Sequence, residues 1–332
     1  MISVIVTTYN QENTIGRTLQ SILSQNIDVP YEIVIGDDCS SDCTREVCEK
    51  YEKKYPEIIR YFRREHNLGV VTNYFQCVRD CRGKYIADCA GDDFWVDNDK
   101  LAKEFELMES DRDISLVHTD WRCCDADGTN PRIISRFKNE NRNTKKVFAK
   151  GKLTGNVLLH DNIGKIHLCS AMYRRDLLLS ELNEKPSLFI SDDYNCEDLQ
   201  IVTALSALGK VVYIPDITLY YTVTPDSISH NSDFDKKYRQ IKSNLILTER
   251  LRQEYCDKDT DITEYNMQNM EYLAAQVFHS GDVALRKDYY ELKKSSTCFN
   301  RINFKNHVWE MSFANRCLWK FFRYLLGKDI SR

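Results

Sequence analysis

The sequence lacks the features that would direct the chain to nucleic acid or into a membrane. Its 332 residues carry a formal net charge of -4, whereas broad nucleic-acid binding normally leaves a basic footprint. No apolar run approaches the roughly 18 residues of a membrane-spanning helix, and no basic segment with an apolar core stands before the first strand-like run. We therefore expect a cytoplasmic protein that does not bind nucleic acid.

Paired cysteine ligands are also missing from the sequence. The chain contains 13 cysteines, but no two of them stand in the C-x-x-C spacing that zinc sites commonly use. Scattered cysteines in a cytosolic chain are usually reduced thiols, and a buried thiol behaves as a small hydrophobic side chain. The cysteines therefore indicate neither a zinc site nor a disulfide framework.

The first part of the chain alternates between strand-like and helix-like segments. Apolar or β-branched runs lie at 2–10, 31–36, 58–62 and 85–87, and segments with helical character lie between them. Such repeated units imply a parallel sheet with right-handed crossovers. A hydrophobic content of 42% is sufficient for the core of one large or two modest domains.

The run 85–87 is followed by two neighbouring carboxylates, Asp92 and Asp93, directly after Gly91. Ligands of open α/β sheets collect at the carboxyl ends of the strands, where a glycine permits a sharp turn. Two adjacent carboxylates repel each other unless a cation lies beside them, and Mg²⁺ is commonly bound by one or two carboxylates plus phosphate oxygens. The pair therefore suggests a diphosphate bound through Mg²⁺ or Mn²⁺, with a solvated Asp-Asp turn as the alternative.

Several motifs occur in a fixed order in the first hundred residues. They are Ser3-Val4-Ile5-Val6-Thr7-Thr8-Tyr9-Asn10, Asp37-Asp38-Cys39-Ser40-Ser41-Asp42, Asn67-Leu68-Gly69 and Gly91-Asp92-Asp93. With this order and spacing, the chain resembles family 2 glycosyltransferases over about residues 1–230, most strongly up to about residue 120. The resemblance implies an α/β fold of the GT-A type, a Rossmann-like and mostly parallel sheet flanked by helices. It also implies a metal-dependent, inverting transfer of a sugar from a nucleotide diphosphate to an acceptor hydroxyl.

The resemblance also assigns roles to residues of these motifs. The implied nucleotide-sugar contacts are Thr8, Tyr9, Glu12, Asp38, Asn67, Gly69 and Asp92. The Asp38 carboxylate would accept a hydrogen bond from an imide N–H such as that of uracil, which makes a UDP-sugar the expected donor, and Asp37 would steady this loop. Asp93 would ligate Mg²⁺ or Mn²⁺. The residues alone leave alternatives open. Tyr9 could instead be an aromatic side chain buried in the core, and Glu12 could be a carboxylate in the first turn of a helix, where the helix dipole favours it.

One position departs from the family pattern. Many members carry an acidic residue two positions before the Asp pair, where this chain has Ala90. We therefore expect a metal site that depends more on the diphosphate oxygens, and a non-catalytic nucleotide-sugar-binding protein remains the alternative function. A nucleotidyltransferase is disfavoured, because the turn from Thr8 to Glu12 contains no glycine, lysine or arginine for a triphosphate.

An acidic pair, Glu197-Asp198, precedes a run with helical spacing and supplies the candidate base. Inverting transfer needs a group that takes the proton of the acceptor hydroxyl. The pair resembles the family motif at this position, so the resemblance assigns the base to Asp198, with Glu197 orienting the acceptor or holding the loop. Asp192 and Asp193 are rival bases, and a helix-start carboxylate that complements the dipole is the structural alternative for Asp198.

From about residue 233 the sequence shows only helical patterns, which predicts a domain boundary there. The expected divisions are a GT-A-like domain over 1–232, its nucleotide-sugar half at 1–98, its acceptor half at 99–232, and a helical region over 233–332. Within the acceptor half, we expect a loop over 121–165 and a strand over 166–173. His230 lies in a stretch that resembles the family segment closing over the diphosphate, which makes it a candidate for contact with phosphate or metal.

The carboxyl-terminal stretch 313–328 has the pattern of a basic amphipathic helix. Such a helix either lies on an anionic membrane surface at the inner face or packs its apolar face on the catalytic domain. Membrane contact would favour a lipid-linked saccharide acceptor over a free saccharide. In either case the resemblance implies a role in cell-surface polysaccharide or glycolipid synthesis.

Overall fold

A computed structural model describes residues 1–133, 146–159, 166–223, 234–257, 260–280 and 282–295 of the chain. The strands are β1 Ile2–Thr8, β2 Tyr31–Asp37, β3 Ile59–Arg63, β4 Tyr85–Asp88, β5 Phe94–Trp95, β6 Ile114–Cys124, β7 Lys146–Phe148, β8 Ala171–Arg174 and β9 Lys210–Thr222. The helices are α1 Ile15–Leu23, α2 Thr44–Lys54, α3 Val70–Asp80, α4 Lys100–Ser110, α5 Thr154–Leu158, α6 Arg175–Glu184, α7 Pro186–Phe189, α8 Asp198–Leu208, α9 Phe234–Tyr255, α10 Thr263–Ser280 and α11 Val283–Ser295.

The strands form one mixed sheet in the order β3-β2-β1-β4-β8-β6-β9-β5, with β7 also paired to β9. Strands β3, β2, β1 and β4 are parallel neighbours, as the repeated βα units predict. Strand β8 enters antiparallel between β4 and β6, while β5 and β7 run antiparallel to β9. The α/β fold class is confirmed, and the antiparallel pairs are confined to the second half of the sheet.

The parallel strands are buried because helices cover the sheet. Strand β1 has an unbroken apolar run from Val4 to Val6, which is typical of a strand packed on both faces. Helix α1 buries Ile15, Leu19 and Ile22, which recur at helical spacing on one face. The parallel register of β1 with β2 and β4 brings the carboxyl ends of these strands to the same edge.

The structure differs from the sequence-based expectation in two stretches. Within 121–165, expected as a loop, β6 continues to Cys124 because its buried residues pair with the long strand β9, and β7 and α5 follow. Within 166–173, expected as a strand, Leu168–Ser170 forms a 3-10 turn, and Trp95 donates its indole N–H to the Cys169 carbonyl at 3.1 Å. The turn takes up the first part of the expected strand, so β8 begins only at Ala171.

The chain divides into two compact units by its internal contacts. One unit comprises Met1–Asn231 and Leu247–Thr260, and the other Ser232–Ile246 and Asp261–Arg332. The second unit has its own buried cluster, which is Tyr238, Leu245, Met270, Leu273, Ala274, Val277, Tyr289 and Leu292. Helix α9 supplies residues to both units, so the boundary at residue 232 stays a prediction.

None of the helices in the described ranges has both the length and the apolar composition needed to cross a membrane. The predicted amphipathic helix at 313–328 lies outside these ranges, and so does His230. The roles expected for both therefore stay predictions.

Candidate functional site

The loops after β1, β2 and β4 meet at one edge of the sheet and are hydrogen-bonded to one another. The Asp38 N–H donates to the Thr8 carbonyl at 2.9 Å, which joins the second loop to the first strand. The Gly91 N–H donates to the Thr7 carbonyl at 2.9 Å, which joins the third loop to the same strand. This edge is where ligands of open α/β sheets bind.

The two carboxylates after β2 hold their own loop in place. Asp37 is fully buried; it accepts hydrogen bonds from the Ser40 hydroxyl at 2.6 Å and from the Tyr61 hydroxyl at 2.6 Å. The Asp38 carboxylate accepts the backbone N–H of Leu68 at 2.7 Å and of Gly69 at 3.0 Å. Asp38 therefore fixes the Asn67–Gly69 loop beside the site, and its carboxylate oxygens keep acceptor capacity for a ligand.

Gly69 and Asn67 occupy a turn that requires a special backbone conformation. Gly69 has φ of 81°, a left-handed value that strains residues with a Cβ, and it precedes α3 directly. The exposed Asn67 side chain accepts the Gly69 N–H at 3.1 Å. The turn presents this asparagine at the surface beside Asp38.

The first loop carries Tyr9 and Glu12 with different surroundings. Tyr9 is 47% exposed, so it is not the buried core aromatic that the residues alone left open. The Glu12 carboxylate accepts the backbone N–H of Cys43 at 2.8 Å, and Cys43 directly precedes α2. Glu12 thus contacts the amino terminus of α2 and not that of α1, the helix that follows Glu12 in the sequence. The Glu12 N–H in turn donates to the Asp42 carboxylate at 3.1 Å, so the first loop and the amino terminus of α2 are tied together.

The loop after β4 is packed tightly around Gly91 and Asp92. A Cβ at Gly91 would lie 2.4 Å from Gln11 Oε1 and 2.9 Å from Thr8 Oγ1, distances that force the neighbours to move. The Gly91 carbonyl accepts the hydroxyl of Thr14 at 2.9 Å. Burial raises the pKa of the Asp92 carboxyl, while the Arg17 guanidinium and a hydrogen bond from the Gln11 side chain oppose this rise.

Sequence reasoning missed Arg17 and Thr222, which support this loop. The Arg17 guanidinium donates to the Asp92 carbonyl at 3.2 Å and to the Thr222 hydroxyl at 3.1 Å, and its central carbon lies 4.2 Å from the Phe94 ring centroid. The sequence does hold one indication of Arg17. Thr14 and Arg17 stand three positions apart at the start of α1, so both lie on the same side of this helix. Nothing in the sequence marks Thr222, because it reaches the loop only through the pairing of β9.

Asp93 is fully buried, directly behind Asp92. Its Oδ1 accepts the Thr222 N–H at 2.9 Å, while its Oδ2 has no hydrogen-bond partner among the described residues. Burial and the neighbouring Asp92 raise the pKa of Asp93 well above its usual range. A buried carboxyl with an unsatisfied oxygen fits either a bound proton or a bound cation.

Two further donor side chains lie near Asp93. Donor atoms of Asp93, His167 and Cys169 all lie within 4.8 Å of one another. The carboxylate suits Mg²⁺ and Mn²⁺, the imidazole is a borderline donor more typical of transition metals than of Mg²⁺, and a thiol is a soft donor that hard cations disfavour. The Cys169 sulfur accepts the Ala90 N–H at 3.3 Å, and burial raises its thiol pKa well above the usual value. Asp93 therefore fits Mg²⁺ or Mn²⁺, His167 fits Mn²⁺ rather than Mg²⁺, and the Cys169 thiol fits neither.

The acidic pair lies at the start of α8, where it lines a cavity of about 30 Å³. Ala90 lines the same cavity, so the base candidate Asp198 lies close to the loop that carries Asp92. Burial and the neighbouring carboxylate of Asp198 raise the pKa of Glu197 well above its usual value. The rival bases Asp192 and Asp193 are exposed and do not line this cavity.

The family is decided by a match that spans more than half of the chain. Residues 3–180 match the family described as Glycosyl transferase family 2. The chain belongs to glycosyl transferase family 2. The resemblance stated from its motifs is thereby confirmed, and the match includes the β1, β2 and β4 loops described above.

Curated relatives of this family 2 member match parts of the chain. An uncharacterized protein of Mycobacterium tuberculosis is 36% identical over 107 residues, 32% of this chain and 31% of its own length. A putative teichuronic acid biosynthesis glycosyltransferase of Bacillus subtilis, TuaG, is 34% identical over 39% of this chain and 50% of its own length. The chain thus spans about a third to a half of these relatives.

Solved structures similar to this family 2 chain have the same fold at low identity. TarS of S. aureus in complex with UDP-GlcNAc is similar over 84% of this chain and 72% of its own, with 19% identity and a TM-score of 0.55. The mannosyltransferase PcManGT of Pyrobaculum calidifontis, in complex with GDP-Man and Mn²⁺, covers 98% of this chain and 79% of its own, with 16% identity and a TM-score of 0.56. These similarities establish the fold.

Proposed function

We propose that this protein transfers a sugar from a nucleoside diphosphate sugar to an acceptor hydroxyl, with inversion at the anomeric carbon. One observation carries the proposal. The loops bearing Asp38 and Asp92 are joined at one edge of the sheet, and Asp198 lines a cavity beside the loop after β4. These residues are our candidates for binding the nucleotide and its diphosphate and for acting as the acceptor base. Membership of glycosyl transferase family 2 supports this assignment.

The donor is assigned to the loops after β1 and β2. Asp38 supplies a fixed acceptor for an imide N–H, because the two amide donors of the Asn67–Gly69 loop hold its orientation. Tyr9 is exposed at the same edge, which leaves its ring available to a nucleoside. A carboxylate acceptor suits a base with a ring N–H such as uracil, and TarS, a structural neighbour of this chain, has been solved with UDP-GlcNAc. We therefore assign a UDP-sugar as the donor.

The diphosphate is assigned to the loop after β4, where negative groups already cluster. A diphosphate beside the ionised carboxylates of Asp92 and Asp93 would be repelled unless a divalent cation lay between them, so we assign a divalent cation to donor binding. Asp93 would hold Mn²⁺ or Mg²⁺, with His167 as a further ligand for Mn²⁺, and PcManGT has been solved with Mn²⁺. When bound, the cation offsets charge on the leaving diphosphate.

The acceptor is assigned to the side of the site that Asp198 lines. Asp198 takes the proton of the acceptor hydroxyl as this oxygen attacks the sugar from the face opposite the diphosphate. Burial and the neighbouring Asp198 raise the pKa of Glu197 well above its usual value, and its side chain supports the loop or the acceptor by hydrogen bonding. Since TuaG is named for teichuronic acid biosynthesis, a saccharide acceptor in cell-surface polysaccharide synthesis is the assignment.

The metal assignment is tested with Asp93→Asn and UDP. Asparagine keeps an oxygen for the Thr222 N–H but replaces Oδ2 by an amide that cannot ligate a cation. Affinity for UDP in the presence of Mn²⁺ should fall at least about 10-fold, while affinity without metal stays the same. Isothermal titration calorimetry with and without Mn²⁺ measures both, and Asp80→Asn, which alters a carboxylate outside the site, is the control.

Two outcomes would revise the proposal. Equal affinity of wild type and Asp93→Asn in both conditions would remove Asp93 from the metal site. If UDP binds but no nucleotide sugar is hydrolysed or transferred with Mn²⁺, the chain would be a nucleotide-sugar-binding protein, the alternative that Ala90 favours. Release of UDP from a panel of UDP-sugars, followed with and without candidate saccharides, decides between these functions.

A further inference from the structure

A buried carboxyl that the proposed transfer does not use lies beside the candidate base. Asp88 is the last residue of β4 and is 3% exposed. It lines the same cavity as Glu197 and Asp198. At about 30 Å³, the cavity exceeds the ~10–15 Å³ that one water molecule needs. A hydrogen bond between Asp88 and the acidic pair can therefore run through a water in this space.

A pair of tyrosines holds one side of the Asp88 carboxyl. The Tyr74 hydroxyl donates to Asp88 Oδ1 at 2.7 Å, and the Tyr173 hydroxyl is hydrogen-bonded to that of Tyr74. Asp88 Oδ2 is buried and has no hydrogen-bond partner in the described part of the chain. Because a buried polar atom without a partner is costly, Oδ2 is the atom that should bond to a group in the cavity.

The surroundings of Asp88 favour its neutral form. Its titratable and charged neighbours are Tyr74, Cys77, Cys81, Cys89, Lys100, Cys169, Tyr173, Glu197 and Asp198. Burial raises the pKa of Asp88 to about 8, against the opposing effect of the two tyrosine hydroxyls. At pH 7 the carboxyl therefore carries a proton, and since Oδ1 accepts from Tyr74, the proton sits on Oδ2.

We propose that Asp88 is a positioning residue for the base, and that its neutral carboxyl donates a hydrogen bond, through a water in the cavity, to the ionised carboxylate of Asp198. A hydrogen bond to the charged form stabilises that form. Asp198 thus stays ionised next to Glu197 and the buried strand end, ready to accept the hydroxyl proton. The inference rests on the proposed function for the role of Asp198, but the contact itself can be measured without turnover.

The first test compares Asp88→Asn with Asp88→Leu by the pH dependence of kcat/KM. Asparagine keeps an oxygen for Tyr74 and an N–H donor for the cavity, so it should rescue transfer at pH 7. Leucine removes the donor, so transfer should fall about 10-fold or more, with the acidic limb of the profile moved to higher pH. Wild type should lose activity above about pH 8, where Asp88 ionises, and Asp88→Asn should not lose it there.

The second test follows the Asp198 carboxyl directly by ¹³C NMR, with the resonance assigned by Asp198→Asn. Its pKa should rise by about one unit or more in Asp88→Leu and stay near the wild-type value in Asp88→Asn. Glu32→Gln is the matched control, since Glu32 is a buried carboxylate on the same sheet that does not line the cavity. This control should leave the Asp198 pKa and the pH profile unchanged.

The outcomes separate this inference from the proposed function. An Asp198 pKa that is the same in wild type and Asp88→Leu overturns the contact, whatever the activity. An alkaline limb that persists in Asp88→Asn also overturns it. If no donor is turned over but the Asp198 pKa shifts as stated, the contact stands and the proposed function fails.

Discussion

Asp38 shows how one side chain can serve the fold and the proposed ligand at once. The carboxylate is 4% exposed and holds two backbone N–H groups, those of Leu68 and Gly69. The motif indicated a ligand contact, but the sequence could not show that the same group fixes a loop 30 residues away, because that contact depends on how β2 and α3 pack. The structural role makes the position sensitive to any loss of an acceptor oxygen.

Asp38→Asn should change both nucleotide preference and stability. Asparagine keeps one acceptor oxygen, but its NH₂ group would face one of the two backbone N–H groups, and two donors cannot form a hydrogen bond. Loss of one hydrogen bond to a buried charged acceptor should lower the free energy of unfolding by about 1–3 kcal/mol. Discrimination between UDP and other nucleoside diphosphates should weaken. Urea denaturation and calorimetry with UDP, GDP and ADP measure these effects, and unchanged preference would show that Asp38 does not contact the base.

At the scale of elements, α1 and the loop after β4 act as one piece. Thr14 and Thr18 donate to the Gly91 carbonyl, and Arg17 donates to the Asp92 carbonyl and the Thr222 hydroxyl. The helix thereby positions the loop proposed to hold the diphosphate. A change that alters this contact should affect donor binding more than folding.

Gly91→Ala tests this coupling against Gly16→Ala. An alanine at 91 would push against Gln11 and Thr8, so the loop should shift and Mn²⁺-dependent UDP affinity should fall about 10-fold or more. In α1, the Cβ of Gly16→Ala would meet its nearest atoms only at 3.9 Å, so this change should raise stability by up to about 1 kcal/mol without altering binding. Calorimetry and thermal unfolding of both variants measure the difference. Normal UDP affinity in Gly91→Ala would contradict the coupling.

The elements themselves were largely predictable, and their long-range pairings were not. Helix α1 and strands β1, β2 and β4 follow from apolar spacing and from carboxylates placed just after strands. The course of β6 to Cys124 and the contact of Thr222 with Asp93 arise from pairing between segments about 100 residues apart. Local periodicity carries no information about such pairing, so the position of Thr222 in the site could not be predicted.

At the scale of the whole molecule, buried carboxyls make stability depend on pH. Burial raises the pKa of Asp88 to about 8 and moves those of Asp93 and Glu197 well upward. In the unfolded chain these groups ionise near pH 4, so between about pH 4 and pH 8 the native state binds more protons than the unfolded state. Stability should therefore fall as pH rises through this window.

The slope of this pH dependence can be measured and assigned. Each such carboxyl contributes up to about 1.4 kcal/mol per pH unit to the fall in the free energy of unfolding. Asp88→Asn removes one titrating group and should flatten the curve between pH 5 and pH 8. Urea denaturation at several pH values checks this, with Glu32→Gln as the buried control outside the cavity. A wild-type stability that rises with pH in this range would contradict the raised pKa values.

The most direct test of the proposed transfer is the turnover of Asp198→Asn with a UDP-sugar and a competent acceptor. The change keeps nearly the same volume but removes the group that accepts the hydroxyl proton. Mn²⁺-dependent UDP binding should match wild type, while kcat should fall on the order of 10²–10⁴-fold, which is the usual effect of losing a general base. The exposed Asp192→Asn and Asp193→Asn should remain active. Transfer near the wild-type rate by Asp198→Asn, with loss in either exposed variant, would contradict the assignment of the base.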